Sequence, residues 1–579
     1  MAPFQVQRPD GQVYALPFLG GLDVPRPQFA DIDGDGDLDL FIQEYSNALW
    51  FFENTGSARA PRYEWRTDRF QNLEIGEWYR FVDLNGDGLL DLLSELPVSH
   101  IRHYRNTGTK AAPKLTLVGE LKDATGAAMF MDRQNIPAIA DLDCDGRLDI
   151  LVGRVEGVVD RYEATAPNAE TFGLVAERYE GIEIIGGIGG GGFGFAPPTM
   201  RHGANALALG DFDNDGDQDL FWGDFFEPAV LLIENVGRTC STPSFQADPV
   251  TLPFAKDVRT SGYNVPAPID LDGDGDLDFL VGVIGGAFNP IKTNEDNFLF
   301  WERVARDKFE LRSRRFLDDI DIGSDAVPAL ADLDADGDLD LVVGAKIDAR
   351  TNGAAPLYVF RNDGTATVPS FRAPETLTLA DAFNQAPAFG DLDGDGDLDL
   401  LLGTWNHDVL YFRNDGGARE PRWVVDAAKT IKPPRISHAV PALADLDGDG
   451  DLDLLLGQAN GAIAFYRNTG TAKSAQFTLV SDKLDDIKAG RRSTPAVVDV
   501  DGDGLLDLVI GHEDAGPPAV YRNAGTKSAP KFVAAPALTI ALPPSSSPAF
   551  ADVNGDGVLD LLVGTTSGGV RFYRGKRDK

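Results

Sequence analysis

The sequence predicts an all-β protein built from ten copies of a four-stranded unit, on three observations. An acidic stretch of the form Asp-x-Asp/Asn-x-Asp-Gly-x-x-Asp recurs ten times, starting at Asp31, Asp83, Asp141, Asp211, Asp270, Asp332, Asp391, Asp445, Asp499 and Asp552, 52 to 70 residues apart. Each copy sits in the same succession of short apolar runs. Gly (63) and Pro (36) are abundant, Met (4) is scarce, and long amphipathic helical patterns are absent, which favours short strands joined by turns.

The seventh unit shows the order most clearly. "APAFGD" leads into the acidic loop, "LDLLLG" follows, then "VLYFRNDG", then "EPRWVV". These are four strands. An Asn-x-Gly between the third and fourth recurs at Asn54, Asn106, Asn235, Asn362, Asn414, Asn468 and Asn523, and predicts a tight connection with Gly at positive φ. Four-stranded units repeated radially make a β-propeller. The tenth unit stops after its third strand, at "GGVRFYRGKRDK", and a matching fourth-strand run, "APFQVQRP", stands near Met1. We therefore expect residues 1–579 to form one repeat domain, a ring of ten blades in which an N-terminal strand over residues 3–8 completes the last blade. Two fused five-bladed rings are the alternative.

Numbered from its first Asp, each loop offers side-chain oxygens at positions 1, 3, 5 and 9, a main-chain carbonyl at position 7, and Gly at position 6 for a sharp turn. The first four loops supply Asp31, Asp33, Asp35, Asp37 and Asp39; Asp83, Asn85, Asp87, Leu89 and Asp91; Asp141, Asp143, Asp145, Arg147 and Asp149; and Asp211, Asp213, Asp215, Asp217 and Asp219. The next three supply Asp270, Asp272, Asp274, Asp276 and Asp278; Asp332, Asp334, Asp336, Asp338 and Asp340; and Asp391, Asp393, Asp395, Asp397 and Asp399. The last three supply Asp445, Asp447, Asp449, Asp451 and Asp453; Asp499, Asp501, Asp503, Leu505 and Asp507; and Asp552, Asn554, Asp556, Val558 and Asp560. Carboxylates crowded this closely repel one another and call for a counterion. Hard oxygen donors in this number suit Ca²⁺ better than Zn²⁺. An EF-hand would need a Glu at position 12; here that position is apolar, Leu402 in the seventh loop. The Asp at position 9 takes the closing role instead, and about ten Ca²⁺ sites are expected.

This pattern between two strands, preceded by Phe389-Gly390 and followed by Gly403, resembles the FG-GAP or VCBS-type repeats of integrin α-subunit propellers and of bacterial exported proteins. The resemblance covers essentially the whole chain. It implies a calcium-binding β-propeller with the ion between the first and second strands of each blade.

A formal net charge of −39 argues against a nucleic-acid partner, whose phosphates this surface would repel. No apolar run approaches the length of a membrane span, and "MAPFQVQRPDG" lacks the layout of a secretory leader. Filling calcium sites of ordinary affinity needs an extracellular, cell-surface or periplasmic home, any leader lying outside this sequence. Two cysteines, Cys144 and Cys240, make no disulfide framework, and Cys144, at position 4 of the third loop, reads as incidental.

Ligand contacts are expected on the face opposite the calcium loops, where loops on a rigid scaffold carry function. Phe193, Phe195, Met200, Arg201, His202, Phe225, Phe226, Phe288, Trp405 and His407 are the candidates. The six histidines show no zinc spacing and no GxSxG elbow is present. The expected function is a calcium-stabilised adhesion or binding propeller with a protein or glycan ligand. The alternatives are a structural subunit of a surface assembly and a calcium-dependent polysaccharide lyase or hydrolase.

Overall fold

A computed structural model describes residues 4–45, 47–97, 99–154, 156–183, 204–246, 249–252, 259–286, 296–305, 308–349, 351, 353–406, 408–433 and 437–576. Among them the regular structure is strand, with three-residue 3-10 turns. The strands of each repeat form an antiparallel sheet in sequence order, to which the third sheet adds Lys122–Asp123, parallel to Thr171–Ala176 at its edge. The seventh consists of Ala386–Gly390, Asp399–Gly403, Val409–Asn414 and Trp423–Val425. Its second strand is buried throughout, because both sheet faces are covered by neighbouring sheets and each alternate side chain therefore needs an apolar partner.

The chain divides into two compact units, Asp23–Phe316 and Met1–Leu22 with Leu317–Lys579, each containing five of the repeats. The contacts between successive sheets repeat closely. In the sixth to ninth sheets the Gly ending the second strand lies where a Cβ would overlap the carbonyl ahead of the next first strand: Gly344 against Gln385, Gly403 against Ala439, Gly457 against Ser493 and Gly511 against Ser546. The same contact runs from the fifth sheet back to the first, Gly282 against Pro25, and from the tenth back to the sixth, Gly564 against Ala326. The expected single ring of ten over residues 1–579 is set against two units of five sheets each, with these contacts made inside each unit.

The N-terminal strand also departs from expectation. Gln5–Val6 pairs in parallel with Ser370–Phe371, and the tenth sheet keeps three strands, Ser547–Ala551, Asp560–Gly564 and Val570–Tyr573. The reason is apolar. Phe4 and Val6 are buried with Phe360, Phe371, Leu562 and Val570, and Phe4 meets both Phe371 and Phe572 edge-on. The segment fills the seam between the sixth and tenth sheets by side-chain packing, and the chain beyond it makes a bridge from Leu19 to Arg571.

The seven Asn-x-Gly motifs form a connection other than the one predicted. Their glycines are absent from the positive-φ set. Instead the Asn side chain accepts two backbone N–H groups, as Asn414 does from Gly416 at 2.9 Å and Arg422 at 2.8 Å. Glycine is required for room, since a Cβ on Gly416 would overlap the Glu420 carbonyl.

Cys144 and Cys240 form a disulfide across 96 residues, joining the third loop to the third-to-fourth strand connection of the fourth sheet. At the equivalent position 4, Gly34 lies against Lys110, Gly394 against Lys473 and Gly448 against Lys527, each in the next sheet's connection. The pair is therefore a covalent version of a recurring contact, correcting its reading as incidental.

Replacing Gly403 by Ala should cost about 3 kcal/mol, because the clash is with fixed backbone rather than a side chain that can turn away. Denaturant unfolding of Gly403→Ala beside Gly353→Ala, whose Cβ would meet only the Thr351 side chain, measures the difference.

Candidate metal centres

Each acidic loop follows the end of a first strand and is turned by two left-handed residues. Position 6 is Gly at φ between 76° and 96° in all ten loops, and position 4 is also left-handed, even where it is Cys144, Asn214 or Ala335. This doubled turn wraps the loop around its own side chains. In the seventh loop Asp391 accepts from Gly394 N–H at 2.6 Å and Gly396 N–H at 3.2 Å, and Asp395 accepts from Asp397 N–H at 3.1 Å.

Position 9 is more deeply engaged than its expected role as closing ligand required. Asp399 heads the second strand and is buried. One oxygen accepts from the Asn414 N–H at 2.8 Å, and the other from the Leu392 N–H at 3.3 Å and the Tyr411 hydroxyl at 2.8 Å. The bond to the end of the third strand recurs from Asp91 to Asn106, Asp219 to Asn235, Asp340 to Asn362, Asp453 to Asn468 and Asp507 to Asn523. This Asp braces the loop against the third strand.

The loops contain the oxygens a cation would need. Asp31, Asp33 and Asp35 converge, as do Asp211, Asp213 and Asp219, and Asp270, Asp272 and Asp274, with their oxygens within 4.8 Å of one another. Several buried oxygens have no hydrogen-bond donor: one each on Asp393 and Asp447 at position 3, on Asp39 and Asp453 at position 9, and on Asp37, Asp217, Asp276, Asp338, Asp397 and Asp451 at position 7. Buried acceptors without donors are costly unless a cation meets them. The side chains at position 7 were missed by the sequence reading, which assigned only the carbonyl there. Their signal is that Asp fills position 7 in six loops, against Leu89, Arg147, Leu505 and Val558 in the others.

Burial, then the charge of neighbouring carboxylates, raises these acids. Asp39, Asp219 and Asp278 are pushed up to about 7, and Asp217, Asp338 and Asp397 to about 6. The folded, metal-free chain therefore binds more protons than the unfolded chain between about pH 4 and 7, so its stability falls as pH rises through that window. Metal-stripped protein should melt higher at pH 5 than at pH 8, and saturating Ca²⁺ should shrink the difference by replacing protons with ions; calorimetry at the two pH values checks this.

The third loop also brings Asp141, Asp143 and Asp149 together, but here an arginine stands among the carboxylates. Arg161, buried in the third strand, places its guanidinium between positions 3 and 9, 2.6 Å from Asp143 and 2.7 Å from Asp149, with Glu163 at 3.3 Å and the Tyr179 ring centroid at 5.3 Å. One Asp143 oxygen is left without a donor. Other third-strand arginines touch one loop carboxylate each, Arg361 on Asp340, Arg467 on Asp447 and Arg522 on Asp501. Register explains the difference: Arg161 stands opposite Leu151 as Tyr411 stands opposite Leu401, the slot that faces the brace. Native mass spectrometry should show Asp391→Ala losing one Ca²⁺ per chain and Asp141→Ala losing none.

Among the expected ligand contacts, Phe225 and Phe226 are half-buried against each other, ring centroids 4.8 Å apart, and Trp405 is 43% exposed. Phe193, Phe195, Met200, Arg201, His202, Phe288 and His407 lie outside the described residues.

A profile of FG-GAP-like repeats matches residues 31–94, 83–152, 332–402, 391–456, 445–510 and 499–563, more than half of the chain. The chain belongs to the FG-GAP-like repeat family. Its FG-GAP-like repeats are similar to those of cartilage acidic protein 1 of Xenopus tropicalis, 24% identical over 394 residues that cover 55% of this chain and 58% of the relative. They are also similar to integrin alpha-4 of Xenopus laevis, 28% identical over 149 residues covering 23% and 14%. The chain thus spans less than two thirds of the length of either relative. Among solved structures, an Agrocybe aegerita lectin described for recognising non-reducing terminal N-acetylglucosamine aligns at 17% identity and a TM-score of 0.24, covering 71% of this chain and 91% of the lectin.

Proposed function

We propose that this FG-GAP-like chain is an extracellular binding module made of two closed five-bladed propellers, stabilised by Ca²⁺ in every acidic loop except the third. The observation that carries the reading is the set of buried carboxylate oxygens without donors, repeated at equivalent loop positions. In each loop the side chains at positions 1, 3, 5 and 9 and the carbonyl at position 7 would hold the ion, joined in six loops by the position 7 carboxylate. Bound calcium neutralises the crowded charge and pins the turn between two strands; it has no part in a reaction here.

The compartment follows from two supports. A disulfide persists in oxidising surroundings, and sites of ordinary affinity, with a dissociation constant of about 10⁻⁴ M, fill only where calcium is near ~1 mM. The names of the relatives, cartilage acidic protein 1 and an integrin, agree with a protein that binds other proteins outside the cell. Among the described residues no helix is long and apolar enough to cross a membrane. The ligand face is the one opposite the loops, where Trp405 is exposed.

At the stated affinity each filled site adds about 1.4 kcal/mol in ~1 mM Ca²⁺. Thermal unfolding after EGTA treatment, then with ~1 mM Ca²⁺ and with Mg²⁺ as control, should give a large rise in Tm for calcium alone. No rise after verified metal removal would sink the calcium reading.

A further inference from the structure

The seam between the first and second sheets, both within Asp23–Phe316, lacks a side chain that the other repeats supply. The fourth-strand residue opposite the end of the third strand is aromatic in eight of the nine sheets that have a fourth strand, from Tyr63 in the first to Trp423 in the seventh and Phe532 in the ninth. In the second sheet it is Leu115, opposite Asn106. The ring has a defined seat. Tyr63 lies 6.1 Å from Phe29 and Trp423 lies 5.9 Å from Phe389, ring centroid to centroid, and the Trp423 indole N–H donates to the Leu398 carbonyl at 3.0 Å. Phe81 and Leu90 hold the positions of Phe389 and Leu398 in the second repeat. The seat is kept and its ring is missing.

A cavity of about 370 Å³ lies in this seam, against about 230 Å³ for the equivalent cavity that Trp423 lines between the sixth and seventh sheets. The difference of about 140 Å³ is close to the ~150 Å³ that takes a benzene ring. The walls are mainly apolar: Phe29, Leu38, Phe81, Leu89 and Leu90. Leu89 stands at loop position 7, where six loops have Asp, and Leu38 is 37% exposed. An apolar patch rimmed by polar residues marks an interaction site. Of the polar residues in the walls, Asn106 already accepts the Gly108 and Lys114 N–H groups, each at 3.0 Å, and Asp31 accepts the Gly34 N–H at 2.8 Å. Lys110 also lines the cavity and, among the described residues, makes no ion pair.

We infer that this cavity takes an aromatic side chain, tryptophan above all, from a protein partner that docks on the loop side of these two sheets. The other repeats show what occupies the seat when the chain fills it itself. An indole placed as Trp423 is would meet the Leu90 carbonyl with its N–H and Phe81 with its ring, and the Lys110 ammonium is available to its electron-rich face. An anion would instead meet Asp31 and two acidic loops. The inference extends the reading of the chain as a binding module, adding a contact surface on the side of the loops.

The test titrates the full calcium-saturated chain into 5-fluoro-N-acetyltryptophanamide, followed by ¹⁹F NMR. The fluorine resonance should broaden and shift saturably, and N-acetyltryptophanamide should displace the probe where N-acetylleucinamide and methyl glucoside do not. Leu115→Trp supplies the missing ring from within and should weaken binding by about tenfold or more; Leu89→Asp, which makes the wall polar, should weaken it about threefold. Each variant introduces a residue that the same position holds in another repeat, and the melting temperature of each shows that it is folded. Absent binding, unchanged binding in either folded variant, or displacement by the leucine amide as effective as by the tryptophan amide would overturn the inference. Displacement by methyl glucoside at lower concentration than by the tryptophan amide would overturn the aromatic assignment in favour of a sugar. Calcium-dependent melting is read separately, so failure of one reading leaves the other visible.

Discussion

The carboxylate at position 9 serves two demands that compete for its oxygens, and each sheet is organised around how they are reconciled. As the first residue of the second strand it must be buried, and its hydrogen bonds to the third strand and to the start of the loop set where both of those segments lie. As part of the loop it joins other carboxylates whose charges cannot all persist unscreened in a partly dry site. Releasing the brace would free the loop and the third strand together, so a counterion that relieves the charge also protects the strand register. Loop chemistry and sheet geometry are one problem here.

Two solutions coexist in the chain. Where Tyr411 or an apolar residue faces the brace, the positive charge must come from outside. Where Arg161 faces it, the charge is covalently attached and arrives with the third strand. The arginine is fixed in number and place, which sets the third loop apart from loops whose carboxylates lack such a partner.

Much of this was legible in the sequence because it is local. The order of strands, the left-handed Gly at position 6 and the convergence of positions 1, 3 and 5 depend on residues within about a dozen positions of one another, and they follow from spacing alone. What was not legible depends on which sheets meet. The return of the fifth sheet to the first rests on Gly282 finding Pro25, and Cys144 has a partner only because the fourth sheet brings Cys240 beside it. The N-terminal run has the composition of a fourth strand, yet Phe4 and Val6 gain more by filling a seam than by extending a sheet edge. Asn-x-Gly misled for a different reason: one pair of residues serves either a turn that needs positive φ or a side-chain clamp that needs space, and the letters do not distinguish them. Arg161 could have been found, since aligning the third strands places a charged residue where the seventh repeat has tyrosine.

The seat at position 4 has a further consequence. In the first, seventh and eighth loops it joins a glycine to the alkyl stem of a lysine on the next sheet, a contact that any repeat with the same two features could supply. Such repeats behave as interchangeable cassettes, able to be duplicated or exchanged without renegotiating their neighbours. The third and fourth repeats have surrendered that freedom: each carries half of a covalent bond, so they are heritable only as a pair, and the disulfide marks a point where a modular array has become a fixed address within one unit.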